Sequence, residues 1–350
     1  RKQIVELLSA PHSNVDGNGS ALVNSPEAIT HPVKFYEKGD SPLEFMSTRQ
    51  WFIKILDHKD ALVKQGDKIT WHPPFMKSRY QNWVEGLNQD WCISRQRFFG
   101  VPFPVWYPLD AQGDPNYEAP IMATADQLPV DPLIQAPAGY TEDQRNQPNG
   151  FCGDPDVMDT WATSSLTPQL MSGWTEDESR HQQVFPMDVR PQSHEIIRTW
   201  AFYTIAKAWF HERQIPWENV VISGWVLDPD RKKMSKSKGN VVTPENLLDD
   251  YSSDAIRYWA SKARLGADTA YEESVFLIGK KLVTKLFNAS KFVMLQLEGH
   301  EELSVSEIKM PLDCAYVDEL KQLIKSATDS FDDFDYATAL DKTESEFWRF

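Results

Sequence analysis

The run Arg231-Lys232-Lys233-Met234-Ser235-Lys236-Ser237-Lys238-Gly239-Asn240 places five cations within eight residues, interleaved with two serines and closed by a glycine. Ammonium groups neutralise phosphate charge, and hydroxyls or backbone amides donate to phosphate oxygens, so the chemistry this run suits is the holding of a polyanion. On charge alone, a solvated basic loop or a generic phosphate or nucleic-acid contact fits as well. Gly239 and the small serines would let such a loop move. Other segments reach less far. His194-Glu195-Ile196-Ile197-Arg198 begins like a zinc-protease H-E-x-x-H but ends on an arginine, which cannot ligate a metal. Cys92, Cys152 and Cys314 are far apart and fit neither a disulfide framework nor metal-ligand spacing.

The elements that must position the basic run are those of an α/β fold. Val220-Val221-Ile222-Ser223-Gly224 is a compact β-branched run, as expected of a buried parallel strand closing on a glycine. Val184 to Val189 is a second strand candidate, ending in Arg190-Pro191. Between them His194 to Arg213 carries a broad apolar helical face through Ile196, Ile197, Trp200, Tyr203, Ile205 and Trp209. Strand, helix, strand is one half of a doubly wound sheet, whose ligands lie beyond the carboxyl ends of its strands. A turn at Asp228-Pro229-Asp230 leads into the basic run, and Thr243-Pro244-Glu245 is a helix start with threonine as N-cap. Glu273 to Leu297 is the longest periodic stretch. Upstream, Pro42 to Leu62 reads as a well-buried helical segment around Phe45, Trp51, Phe52, Ile55 and Leu56. Residues 102 to 150, heavy in Pro, Gly, Asp and Gln, read as an irregular, strand-containing insertion. Ser13 to Ser20 reads as a loop, and Ala28 to Lys38 as extended chain.

Composition bounds the partners. With 41% hydrophobic and 25% charged residues over 350 positions, the chain is globular and long enough for two or three domains. Lysine plus arginine number 36 against 51 aspartate plus glutamate, a net charge of −15, which excludes a uniformly basic nucleic-acid coat but not a local basic patch. No run of about 18 apolar residues is present, so no membrane span is expected, and a cytoplasmic chain is. In such a chain the sequons at Asn18-Gly19-Ser20 and Asn288-Ala289-Ser290 would stay unmodified.

The order of the residues says more than their charge. Lys233-Met234-Ser235-Lys236-Ser237 reads K-M-S-K-S and follows a strand and a turn. Asp90-Trp91-Cys92-Ile93-Ser94-Arg95-Gln96-Arg97 contains W-C-I-S-R-Q, and Asp156-Val157-Met158-Asp159-Thr160-Trp161 reads D-V-x-D-x-W. In this colinear order, over nearly the whole chain and weakest before His31, the sequence resembles the class I aminoacyl-tRNA synthetases, in particular their valyl and isoleucyl branch. Leu286-Phe287-Asn288-Ala289-Ser290 resembles the opening helix of the anticodon-binding domain of that branch. Residues 159–165 and 194–200 look most like the valyl members, since isoleucyl members would be expected to show Gly-Trp where Thr199-Trp200 stands.

The resemblance implies roles. Lys236 would bind the triphosphate of ATP and stabilise the departing pyrophosphate, Lys233 would assist more peripherally, and Met234, Ser235 and Ser237 would complete the contact. Adenine would lie between the Gly224 strand end and the backbone at Met234. Glu195 falls where related enzymes place an acidic residue, usually aspartate, on the ribose hydroxyls. Trp161 and Trp200 would be two indole walls of an amino-acid pocket, the alternative for any tryptophan being core packing. Rigid walls exclude larger side chains, but a methylene changes affinity by only about 1–3 kcal/mol, so this family carries a separate hydrolytic editing domain. Arg95 and Arg97 either touch the tRNA 3′ end or make structural ion pairs. Implied partners are ATP with Mg2+, valine and tRNA(Val), with no obligate protein partner. No structural zinc is expected, because Trp106-Tyr107-Pro108-Leu109-Asp110 continues without the paired cysteines many relatives carry.

The expected architecture is the second half of a doubly wound, Rossmann-like parallel sheet with an inserted irregular subdomain, followed by an α-helical anticodon-binding domain. Residues 1–30 would be chain leaving the editing domain, 31–150 the connective and insertion region, and 151–230 the second half of the catalytic domain. Residues 231–270 would be the K-M-S-K-S loop and stem-contact region, and 271–350 the start of the helical domain. The H-I-G-H tetrad of the family's first half occurs nowhere in the 350 residues. The chain therefore reads as the middle to late part of a longer ligase, inactive by itself. The other readings are an isoleucyl member and a non-catalytic tRNA-binding fragment or paralogue.

Overall fold

The computed structural model describes residues 2–10, 21–22, 24–30, 32–36, 39–235, 239–300 and 304–349. It divides into two compact units, Arg1–Arg49 and Gln50–Phe350. The first holds a short helix, α1 (Lys2–Ser9), and an antiparallel bridge between Phe35 and Pro42. The loop expected over Ser13 to Ser20 lies outside the described residues.

The second unit opens differently from the helical expectation for Pro42 to Leu62. Its first element is a strand, β1 (Phe52–Ile53), which pairs antiparallel with β3 (Trp91–Cys92). Helix α2 (Lys59–Lys68) begins only after a 3-10 turn at Leu56–His58. The physical reason is distant in sequence: Asp90 Oδ1 accepts the amides of Ile55 at 2.9 Å and Leu56 at 3.1 Å, so the carboxylate caps the helical entry from 35 residues away. Of Trp51, Phe52, Ile55 and Leu56, only Ile55 is buried.

The sheet that positions the site has three parallel strands. The central one, β10 (Trp217–Ser223), is flanked by β2 (Thr70–His72) and β9 (Met187–Ser193), with Val220 opposite both Trp71 and Arg190. Val220 and Ile222 are fully buried, as the β-branched run requires. The strand expected at Val184 to Val189 starts three residues later, because Val184 closes helix α6 (Glu178–Val184), and it continues through Pro191. Among the described residues β9 is an edge strand, where a missing N–H is tolerated. Strand β2, between α2 and α3 (Lys77–Glu85), has only three residues and no sequence signal of its own.

His194 to Arg213 is helical as expected but not uniformly so. A 3-10 turn (His194–Ile196) passes into one π turn (Ile197–Ala201) and then into α7 (Phe202–Glu212), which Arg213 ends at φ 60°. Phe202, Ile205 and Ala206 pack on Leu62 of α2, Tyr80 and Val84 of α3, and the strand residues Trp71 and Ile222, forming the main core.

The insertion carries β5 (Val105–Pro108) between β6 (Ile121–Met122) and β7 (Phe151–Gly153), over a small core of Phe103, Val105 and Tyr107. It returns through β8 (Val157–Met158), paired with β4 (Ser94–Arg95), to α4 (Thr160–Ser164) and α5 (Thr167–Ser172). Beyond the sheet, β11 (Val226–Leu227) pairs parallel with β12 (Thr269–Ala270). Helix α8 (Pro244–Tyr251) starts at the expected proline, with no side-chain bond from Thr243. Helix α9 (Ser253–Ser261) precedes the expected long helix, α10 (Glu273–Leu297), and then α11 (Pro311–Asp332) and α12 (Tyr336–Arg349). Lys262, just after α9, pairs with Asp341 and Glu344 of α12, and Tyr258 Oη donates to Glu344 at 2.7 Å.

Candidate active site at the carboxyl edge of the sheet

Parallel pairing brings the ends of β9 and β10 side by side, Ser223 opposite Ser193, so the residues that follow each strand meet. After β9 come His194 and Glu195; after β10 come Gly224 and Trp225. The Trp225 indole N–H donates to Glu195 Oε2 at 3.0 Å, and the His194 ring lies 4.8 Å from the Trp225 ring. His194 is held by Arg79 at Nδ1 (3.3 Å) and faces Asp268 at Nε2 (3.6 Å), while Asp268 also accepts the Trp225 amide at 2.8 Å. These groups border an open cleft of about 730 Å³, with Trp83, Arg198 and Gly266 on its other sides. Cations and carboxylates share the cleft, so it suits a ligand with both anionic groups and hydroxyls.

The basic run reaches this cleft through Lys233. Lys233 Nζ lies 2.5 Å from Glu195 Oε2 and 4.5 Å from the centre of the Trp225 ring. The Lys233 bond, ahead of that from Trp225, holds the Glu195 carboxyl below the usual carboxylate range. Met234 and Ser235 are half-buried, and Ser235 N donates to Asn240 Oδ1 at 2.9 Å. Lys236 and Ser237 lie outside the described residues. Gly224 is glycine for a local reason: a Cβ there would sit 2.1 Å from Ala267 O, since residues 266–269 run against the strand end.

The expected indole pair, Trp161 and Trp200, lies on and against α4. Trp161 opens α4, whose N-cap Asp159 accepts its amide, and packs against the main core. Trp200, in the π turn, donates from Nε1 to Ser164 O at 3.2 Å, and the Arg190 guanidinium lies 3.1 Å from its ring centre. The two tryptophans are thus linked through α4, but neither lines the cleft beside Glu195. The indoles that do are Trp225 and Trp83 of α3, the latter with Arg198 over it at 5.7 Å. Sequence reasoning passed over Trp83, Arg79 and Asp268, because nothing in a helix or loop sequence says which strand end it will face. Arg95 pairs with buried Asp159 at 3.1 Å and donates to the carbonyls of Cys92 and Ser94. Arg97 is exposed.

Among the described residues no group of three or more His, Cys, Asp or Glu is arranged to hold a metal ion, and no helix is long and apolar enough to cross a membrane.

Residues 12–272 match the family model of the class I tRNA synthetases (I, L, M and V), and the chain belongs to that family. Among individual relatives, it is 53% identical over 353 residues to a valine–tRNA ligase of Thermobifida fusca, covering 99% of this chain and 39% of that protein. It is 51% identical over 359 residues to a valine–tRNA ligase of Salinispora tropica, covering 100% and 40%. The chain therefore spans about two fifths of the length of these relatives. Among solved structures, a ternary complex of Agrobacterium radiobacter LeuRS with tRNA and LeuAMS superposes with a TM-score of 0.61 at 22% identity, over 73% of this chain and 35% of that one. Mycobacterium tuberculosis methionyl-tRNA synthetase bound by methionyl-adenylate gives 0.60 at 19% identity, over 87% and 52%. At such identities the likeness is one of fold, the Rossmann-like α/β catalytic domain of class I synthetases.

Proposed function

We propose that this chain is the later part of the catalytic domain of a valine–tRNA ligase, which activates valine with ATP and transfers it to tRNA(Val) in the cytoplasm. The observation that carries the reading is the meeting of Lys233, at the head of the K-M-S-K-S run, with Glu195 beside the carboxyl ends of two parallel strands. That is where an open α/β sheet binds its ligand. Identity of about half over the whole chain to valine–tRNA ligases supports the choice of amino acid.

In the first step a valine carboxylate oxygen attacks the α-phosphorus of ATP, the bond to the bridging oxygen breaks, and its electrons leave on pyrophosphate. The protein's part is positional and electrostatic. Glu195 would accept the ribose hydroxyls, displacing the Lys233 ammonium toward the phosphates; Lys236 would stabilise the charge that grows on the leaving pyrophosphate. Magnesium would arrive with the ATP phosphates, its usual mode of binding. In the second step a 3′-terminal hydroxyl of the tRNA attacks the valyl carbonyl and AMP leaves. Trp161 and Trp200 would wall the valine pocket on the α4 side, and Arg97 would meet the tRNA end. Residues 231–270 would contact the stem, and α10 to α12 would begin the anticodon-binding domain. The test is ATP–pyrophosphate exchange by the full-length protein with valine and isoleucine in turn. Faster exchange with isoleucine at equal concentration would overturn the valine assignment.

A further inference from the structure

Below the cleft, the two described arms of the 231–240 loop are tied together by one carboxylate and one amide. Asp228, only 5% exposed, accepts the Lys232 amide at 2.7 Å through Oδ1 and the Asn240 side-chain N–H at 2.7 Å through Oδ2. Asn240 accepts the Ser235 amide at 2.9 Å and donates to Lys233 O at 3.2 Å. The amide's orientation follows from its partners, since a carboxylate only accepts and a backbone N–H only donates. The first arm is turned back by Arg231 at φ 60° and bridged at Lys233 to Leu227 of β11. Asn240 holds the Asp228 carboxyl below the ordinary aspartate range, and the Lys232 amide adds to this. A run of five like charges repels itself, and a buried carboxylate at its base is what would hold such a run folded.

We propose that Asp228 and Asn240 form a latch that positions the first arm of the loop, fixing the backbone at Ser235 and holding Lys233 against Glu195. Neither side chain touches the cleft; both are positioning residues. As an aid to catalysis the latch rests on the proposed function, but as a structural element it does not. Asp228→Asn sets one amide N–H against another, and Asn240→Asp sets two carboxylates face to face, so each breaks the central bond. The double exchange restores that bond with its polarity reversed. It keeps the Lys232 and Ser235 amides satisfied, at the cost of a carboxylate oxygen facing Lys233 O where Asn240 had donated.

Two readouts on the full-length protein test this: hydrogen exchange at the amides of Lys232 and Ser235, and valine-dependent ATP–pyrophosphate exchange. Each single variant should speed amide exchange at least about tenfold and lower kcat roughly ten- to hundredfold, the scale of a lost charge-assisted hydrogen bond, with KM for valine unchanged. The double variant should return to within about fivefold of the parent in both. Losses that simply multiply in the double variant, or single variants with unaltered amide exchange, would overturn the latch. A parent protein without valine-dependent exchange would instead overturn the proposed function, and the amide-exchange comparison would still decide the latch.

Discussion

Glu195 receives the Lys233 ammonium and the Trp225 indole N–H on the same oxygen, which fixes both its charge state and its direction. Its folded-state pKa lies below the unfolded value of about 4.3. The stabilisation this provides is therefore complete above that value and lost as pH falls through the lower folded one. Carboxyl NMR of Glu195 should show no titration between pH 5 and 8, and an acid limb of activity in that range would have to come from another group. Glu195→Gln should raise KM for ATP several-fold while leaving KM for valine alone, if the carboxylate serves the ribose. Lys236, whose role rests on the family resemblance, should matter mainly when charge moves onto the leaving pyrophosphate. Lys236→Ala should slow adenylate formation about 10²–10³-fold in stopped-flow, with a smaller change in ATP affinity. Arg231 is exposed and 3.4 Å from Glu272, so Arg231→Ala should cost far less. Equal losses in the two variants would mean a diffuse basic patch. The Lys233–Glu195 pair joins two residues that the sequence had singled out separately; their contact was not legible, because they are 38 positions apart with two strands between them.

Among the elements, the end of β10 is the most constrained. Gly224 lies where residues 266–268 close over the strand, and its Cβ would meet backbone rather than a yielding side chain. Gly224→Ala should therefore destabilise the protein by about 1–3 kcal/mol, the scale of overpacking, read as a fall in the denaturation midpoint. A midpoint unchanged within error would mean that the 266–269 segment moves aside freely. Helices α5, α6 and α7 are joined by a buried chain of polar groups: Ser172 Oγ with His181 Nδ1 at 2.6 Å, and His181 Nε2 with Glu212 Oε2 at 2.6 Å. His181→Ala leaves Glu212 with only the Gln169 amide, at 3.1 Å, and should cost about 3 kcal/mol in urea unfolding; a cost under about 0.5 would show that the chain is dispensable. The long, periodic α10 and the β-branched β10 were readable because their own composition selects them. Strand β2 and the late start of β9 were not: three residues have no period, and the partners that make them strands are supplied by β10.

Across the whole sequence the net charge is −15 while residues 231–238 carry five cations, a contrast that favours a polyanion at that run. The sheet shown here ends at β2 and β9 among the described residues, and the 350 residues contain no H-I-G-H tetrad. The chain spans about two fifths of its valine–tRNA ligase relatives, and the purified 350 residues should give no valine-dependent exchange; measurable exchange would show that this portion suffices. By itself the sequence determined the α/β class, the central buried strand, the long helix α10 and, through K-M-S-K-S with its colinear flanking segments, the synthetase family. These are carried by local composition and by residue order, which a linear chain displays directly. Only the tertiary structure decided that Asp90 caps a helix 35 residues upstream, that Trp83 and not Trp161 or Trp200 faces the Glu195 cleft, and that Asp228 clasps Asn240. The first two depend on which strand ends lie side by side, and the third on how a loop folds back on itself; both are fixed by hydrogen bonds between segments that the chain brings together only on folding.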